Sequence, residues 1–391
     1  MSGTPPRPTT WSSLVEARNE RLAAEGRWRV PLTFDAQGPE GVLTADGTKV
    51  VAFASNDYLG LSLHPAVVAA AHEALDLWGT GAGASRLVTG SRPCHEELEA
   101  ALAHWKGTER ATVFPTGFAA NLGVLGAFGD RGVLICSDEL NHASIIDGAR
   151  LSHAETAVFR HRDVDHLESL LSGSPGPALV VTDVVFSMDG DVAPVTEIAE
   201  LCRRHGALLV LDEAHAVLGP DLGPDLLDLD VLRVGTLSKT LGALGGFVAG
   251  PRPFIELLEN RARSYIFTTA LTPPDTAAAL AALRLLSTPE GAALRRRLAG
   301  HIERVAPGHP SPIIPIVLGS DERAVAASAT LRAHGVWVPA IRPPTVPAGT
   351  ARLRVTLSAA HTDDHVSLLL EALAAISATA GTDTDATSPA P

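Results

Sequence analysis

The sequence predicts a three-layer α/β domain built on a mostly parallel sheet, followed by a smaller α+β unit. Three observations carry that expectation. Short, continuous apolar runs alternate with helical patterns through most of the chain, and the pattern changes after residue 286. The 391 residues are 46% hydrophobic and 19% charged, enough to bury a large core and divide it between two domains of about 150 residues or more. Short apolar strands separated by helices are covered on both faces and pair in parallel. An open sheet of that kind holds its ligand at the carboxyl ends of its strands.

In chain order, the first ten residues and the closing TAGTDTDATSPAP are rich in Pro, Thr, Ser and Asp and are expected to be disordered tails. Apolar spacing over 11–26 predicts an amphipathic helix opened by Ser12 or Ser13 as its cap. Strands are expected at 50–54, 111–114, 133–136, 156–159, 178–184, 207–211, 231–234 and 246–249. Helices are expected between them at 65–78, 95–105, 143–151, 164–171 and 195–205. A long helix at 274–286 closes this run. The remaining pattern predicts strands at 313–318, 336–339 and 353–357 with helices at 323–334 and 363–377.

Charge and cysteine usage exclude several classes of function. Acidic residues outnumber basic ones 44 to 31, a net charge of −13, so the chain as a whole repels nucleic acid and anionic membrane. Aromatic residues make up 4%, too few for a general protein-binding surface built on aromatic anchors. Cys94, Cys136 and Cys202 show no CxxC spacing and read as free thiols in a reducing cytosol, with no disulfide framework and no metal site. The opening MSGTPPRPTT has neither a basic nor an apolar signal region, and no run of 18 apolar residues occurs. A cytoplasmic protein is expected.

Two motifs fail their obvious readings. GTGAGAS, at 79–85, follows a helix and lacks the GxGxxG spacing, so it reads as a glycine-rich turn rather than a dinucleotide fingerprint. DEAH, at 212–215, would need a phosphate loop ending in GK[ST]; the only lysine followed by Ser or Thr is Lys239, and Ser238 stands before it. DEAH instead places Asp212 at the end of the apolar strand LLVLD, with His215 three residues on, and TLSK places Lys239 at the end of the next strand. Only three lysines exist: Lys49, Lys106 and Lys239. A strand-end acid, a nearby histidine and a strand-end lysine suit pyridoxal phosphate, whose aldehyde needs an amine and whose ring nitrogen needs an acid partner. The plainer readings are a helix cap for Asp212 and a solvated surface residue for Lys239.

The motifs SNDYLGL (55–61), PTGFAAN (115–121), NHAS (141–144), VFSMDGD (185–191), DEAH, TLSKTLG (236–242) and RPPTVPAGTARLR (342–354) occur in the order found in the α-oxoamine synthases. Over residues 27–370 the chain resembles that family, a group of aminotransferase-like pyridoxal-phosphate enzymes of fold type I. The resemblance implies an N-terminal segment over 1–50, a large cofactor-binding domain over 51–288, a small C-terminal domain over 289–379 and a tail over 380–391. It assigns Lys239 as the Schiff-base lysine, Asp212 as partner of the ring nitrogen, His215 as donor to the ring's phenolic oxygen and His142 as the residue stacked on the ring and near the substrate. Gly117, Phe118, Ser187 and Thr236 match further cofactor contacts. At Gly117 and Phe118 a strand gives way to a helix, whose N–H groups can hold phosphate. Thr268 and Thr269 match hydroxyls contributed by a neighbouring subunit, which implies a homodimer.

Arg27, Asn56, Thr345 and Arg354 match substrate-binding positions. SNDYLGL and RPPTVPAGTARLR most resemble the branch that condenses L-alanine with a pimeloyl thioester, on coenzyme A or acyl carrier protein, to give 8-amino-7-oxononanoate for biotin biosynthesis. Other reactions on this scaffold are glycine-dependent acyl transfer and transamination; a pyridoxal-phosphate protein without catalysis is a further alternative. After DEAH the chain reads AVLGPDLGPDLLDLD, shorter than the family's glycine-rich stretch. The run Arg295–Arg296–Arg297 reads as a solvated helix face, or as a dock for an acidic carrier or a coenzyme A phosphate.

Overall fold

A computed structural model describes residues 10–382 apart from 221, 224, 225 and 227; most of both expected tails lies outside the described residues. Strands β1 (Phe34–Ala36), β2 (Glu40–Leu43) and β3 (Thr48–Ala52) precede the large sheet. That sheet comprises β4 (Arg110–Phe114), β5 (Leu134–Asp138), β6 (Glu155–Phe159), β7 (Ala178–Asp183), β8 (Leu208–Asp212), β9 (Val231–Thr236) and β10 (Gly246–Gly250). Its order is β4-β10-β9-β8-β7-β5-β6. Only β10 runs against its neighbours, and the other ladders are parallel.

Alternation along each strand explains the apolar runs. Cys136, Val180, Leu209 and Leu211 pack with helices Val164–Ser172 and Val195–His205 on one face. Ile135, Leu179, Val181, Val210 and Val234 pack with helices Gly117–Phe128, Ala143–Leu151 and Arg252–Arg261 on the other. A strand covered on both faces must be apolar at every position. Polar residues gather at the strand ends, where Asp138, Asp183, Asp212 and Thr236 stand in a row; Arg233, inside β9, is held by Glu213.

The C-terminal unit holds β11 (Ile313–Gly319), β12 (Val336–Trp337), β13 (Ala340–Ile341) and β14 (Ala351–Thr356), with an antiparallel sheet in the order β11-β14-β13. Here the structure corrects two expectations. Strand β3, expected in the large sheet, pairs in parallel with β12, extending a sheet with β1 and β2. The expected boundary at residue 50 therefore falls inside a strand that packs with the C-terminal unit. The following SNDYLGL segment is tied to the same unit, since Thr356 N–H donates to Phe53 O and Ala359 N–H to Tyr58 O.

The first helix, Trp11–Ala24, is capped by Thr10, whose hydroxyl accepts from Ser13 N–H at 3.2 Å, rather than by Ser12 or Ser13. It buries no residue within the chain, so its apolar side chains do not form a face on this core. The three cysteines are free and buried. Among the described residues no helix is long and apolar enough to cross a membrane.

One buried ion cluster lies beneath the DEAH turn. Glu213 accepts from Lys106 Nζ at 2.5 Å and from Arg233 through Nε and, at 3.1 Å, Nη2. Arg233 Nη1 also donates to Lys106 O. Lys106 thus commits one of its N–H donors to a structural pair with Glu213.

Candidate active site

The carboxyl edge of the large sheet opens into a cavity of about 150 Å³ lined by Thr116, Gly117, Asn121, His142, Asp183 and Asp212, with Phe118, Ser144, His215, Thr236, Ser238 and Lys239 completing it. Strand pairing sets Asp183 directly beside Asp212. Burial, and then the neighbouring Asp212, push Asp183 well above the usual carboxylate range, so it is held neutral beside the Asp212 carboxylate. Asp212 is itself anchored: Oδ1 accepts from Ala214 N–H at 2.9 Å and Oδ2 from Asn121 Nδ2 at 2.6 Å.

From Asn121 a polar chain runs on to His142. Asn121 Nδ2 also donates to Ser144 Oγ at 2.9 Å, and Ser144 Oγ lies 2.7 Å from His142 Nδ1. That nitrogen accepts from Ser144 N–H as well, because His142 caps helix Ala143–Leu151. Nδ1 is therefore the acceptor and the ring proton sits on Nε2. Burial lowers the His142 pKa, against the pull of Asp212, which keeps the imidazole neutral. Asp183 fixes the residue from below by accepting His142 N–H at 2.8 Å.

The Lys239 side chain makes no hydrogen bond or ion pair among the described residues; its carbonyl accepts from Gly242 N–H at 3.1 Å. Burial pushes its pKa down, opposed by Asp212 and Asp183. An amine so placed is a nucleophile in waiting. His215 is buried, and burial followed by the Lys239 and Arg354 charges holds it well below the usual histidine range. Its Nδ1 lies 2.5 Å from Tyr58 Oη. Tyr58 is also buried, and burial raises its phenol pKa, so the pair is neutral.

A second corner forms where the C-terminal unit meets SNDYLGL. Arg354, on β14, donates from Nε to Ser187 O at 2.6 Å, from Nη1 to Thr356 Oγ1 at 2.9 Å and from Nη2 to Asn56 Oδ1 at 3.2 Å. It is 5% exposed and has no carboxylate partner among the described residues. A buried guanidinium bonded only to neutral acceptors is poised for an anionic ligand.

The expected site residues divide on this geometry. Lys239, Asp212, His215, His142, Gly117, Phe118 and Thr236 line one cavity, and Asn56 and Arg354 meet beside it. Ser187 meets Arg354 through its backbone carbonyl and does not line the cavity. Arg27 is exposed and pairs with Glu25 at 3.1 Å; Arg29, two residues on, reaches Thr345 Oγ1 and Pro343 O, each at 3.4 Å. The structure thus brings Arg29, not Arg27, to Thr345. Thr268 and Thr269 lie outside the cavity of their own chain. Arg295–Arg297 is not one face: Arg295 donates to Leu286 O, Arg297 to Ala359 O, and Arg296 is exposed.

Asn121, Ser144, Tyr58, Asp183, Ser238 and Arg29 escaped the sequence reading. Asn121, Ser144 and Tyr58 end or occupy quoted motifs, and Asp183 ends an apolar strand just as Asp212 does. Strand-end position was the available signal for Asp183.

The residues present fit pyridoxal phosphate. The N–H groups of Gly117 and Phe118 open helix Gly117–Phe128 with no acceptor among the described residues, while Thr116 caps Ala119. A Cβ on Gly246 would fall 2.5 Å from Gly117 N, so glycine there lets the helix start approach the sheet. Those N–H groups could cradle a phosphate, with the Ser238 hydroxyl beside Thr236 Oγ1 at 2.6 Å and the Thr236 hydroxyl donating to Gly245 O at 2.9 Å. Asn121 Oδ1, buried in the same wall, is an acceptor without a partner.

Comparison with known proteins agrees with this geometry. The aminotransferase class I and II family matches residues 48–373. An 8-amino-7-oxononanoate synthase of Anaeromyxobacter dehalogenans (strain 2CP-1 / ATCC BAA-258) is 52% identical over 93% of this chain and 95% of that relative. One of Burkholderia orbicola (strain MC0-3) is 47% identical over 85% and 87%. Among solved structures, a serine palmitoyltransferase from S. paucimobilis with bound PLP–myriocin aldimine superposes with a TM-score of 0.86 at 32% identity, covering 94% of this chain and 98% of that one. An 8-amino-7-oxononanoate synthase from Francisella tularensis gives 0.70 at 27%, covering 86% and 99%.

Proposed function

The chain belongs to the aminotransferase class I and II family, and from that premise we propose that it is a pyridoxal-phosphate-dependent acyltransferase of the cytoplasm. It condenses L-alanine with a pimeloyl thioester, yielding 8-amino-7-oxononanoate, carbon dioxide and free thiol in biotin biosynthesis. The observation that carries the reading is the unpaired Lys239 amine in a cavity floored by Asp212 and His215, with the unpaired Arg354 guanidinium beside it.

When bound, pyridoxal phosphate supplies an aldehyde for amines and a ring that withdraws electrons from the carbon beside the nitrogen. Asp212 would face the ring nitrogen and keep it protonated. His215 would donate to the phenolic oxygen, and the Gly117–Phe118 helix start with Thr236 and Ser238 would take the phosphate. Arg354, steered by Asn56 and Ser187 O, receives the carboxylate of alanine. Lys239, its pKa lowered by burial, takes the proton from the alanine Cα. His142 presents Nε2–H to the incoming acyl group while Nδ1 stays tied to Ser144. Arg29 and Thr345 frame the entrance.

The test is thiol release by the holoenzyme from pimeloyl-coenzyme A and pimeloyl-acyl carrier protein, with alanine or glycine. Alanine-dependent release with matching carbon dioxide is expected. Amino transfer to a keto acid without thiol release would replace this reading with an aminotransferase, and release only with glycine would reassign the amino acid.

A homodimer completes the site in this reading. Phe118, Phe267, Leu87 and Val88 are exposed, and the hydroxyls of Thr268 and Thr269 make no hydrogen bond among the described residues. A partner's threonine would satisfy a phosphate oxygen left free by Gly117, Phe118 and Thr236. Replacing Thr268 and Thr269 with valine should weaken cofactor binding while the chain still folds. Mixing that variant with Lys239→Ala chains gives heterodimers with one site carrying both lesions and one carrying neither. Activity should then reappear, measured as thiol release after subunit exchange. No recovery where exchange is demonstrated would rule out shared sites.

A further inference from the structure

Behind the wall of the cofactor cavity lies a second cavity of about 380 Å³, which shares Ala214, Gly235 and Thr236 with it. Its apolar side includes Val217 and Leu222 from the shortened segment after DEAH. Its polar side is basic. Lys106, Arg233 and Arg295 line it, against Glu213 as the only acid among the described lining residues.

The charges do not cancel. Lys106 and Arg233 share one carboxylate, leaving that cluster with one positive charge in excess, and the side chains of Lys106 and Glu213 are more than nine-tenths buried. Lys106 has three N–H donors, of which one goes to Glu213, and its ammonium sits 3.7 Å from the Trp105 ring centroid. Arg295 adds another charge; it donates from Nη2 to Leu286 O at 3.0 Å and has no ion pair among the described residues. Its neighbour Arg296 is exposed and does not line the cavity. Excess charge, unused donors and enclosed volume coincide on one side of the DEAH turn.

We propose that this cavity is a binding site for a small phosphoryl-bearing anion, held by Lys106, Arg233 and Arg295. A tetrahedral dianion can accept from the Arg forks and the ammonium at once, and it offsets charge that Glu213 leaves uncompensated. Its three cationic side chains do not line the cofactor cavity, although the two cavities share Thr236, and the proposal does not depend on the reaction assigned above.

The experiment is equilibrium dialysis of labelled inorganic phosphate against the holoenzyme, with the cradle already filled by cofactor and ionic strength held constant with chloride. One saturable phosphate per chain is expected beyond that of the cofactor. Arg295→Gln should weaken it about tenfold, the loss of one charge-assisted contact, and Arg295→Glu should weaken it further. Arg296→Glu makes the same change in net charge outside the cavity and should leave binding within about twofold of wild type. Absence of saturable binding to the wild type, an unchanged affinity in Arg295→Gln, or equal losses in the two glutamate variants would each overturn the proposal.

Discussion

Lys239→Ala should remove the visible absorption that comes from covalent attachment of the cofactor and lower turnover by at least about 10⁴-fold, since nucleophile and proton acceptor are lost together. The structure makes the assignment by elimination as well as by position. Lys49 is exposed on β3. Lys106 is held by Glu213 and covered by Trp105. Lys239 alone faces the cavity, and burial lowers its pKa, which raises the fraction of free amine. Lys49→Ala should keep both absorption and turnover. Borohydride reduction followed by peptide mass spectrometry should place the pyridoxyl group on Lys239; finding it on Lys49 or Lys106 would refute the assignment.

Asp212→Asn should fold and still bind cofactor, yet lose turnover by roughly 10³-fold, the scale of removing one preorganised electrostatic partner. The amide matches the carboxylate in shape, and its oxygen can still accept from Asn121. What disappears is the negative charge, together with the bond from Ala214 N–H, which would then face the amide NH2. Asp183 cannot take over in place, because its Oδ2 accepts His142 N–H. Thermal melting checks the fold, and steady-state thiol release checks the chemistry. Near-normal turnover at an unchanged melting temperature would exclude a role for the Asp212 charge.

Legibility in the sequence followed the range of the interactions. The seven strands of the large sheet and their order along the chain could be read because most of them are buried on both faces and therefore largely apolar. Asp212 and Lys239 stood out because each ends such a strand. The hairpin of β1 and β2 was not read, since its short strands flank the polar turn Gln37–Gly38–Pro39 and carry no sustained alternation. The pairing of β3 with β12 depends on contacts across most of the chain, which local periodicity cannot report. The chain from Asp212 through Asn121 and Ser144 to His142 likewise joins three separate motifs, visible singly but not as a network. Arg27 and Arg29 lie in an extended segment with no periodic constraint, where only the fold selects which one meets Thr345.

The contact between Asn56 and Arg354 joins residues separated by 298 positions. A ribosome adding 5–20 residues per second needs about 15–60 s to pass from one to the other. Late in that interval, once residue 239 has been added, the nascent chain contains Lys239, Asp212 and the glycine-opened helix, but not Arg354. Translation order thus makes the cofactor end of the site before the substrate end.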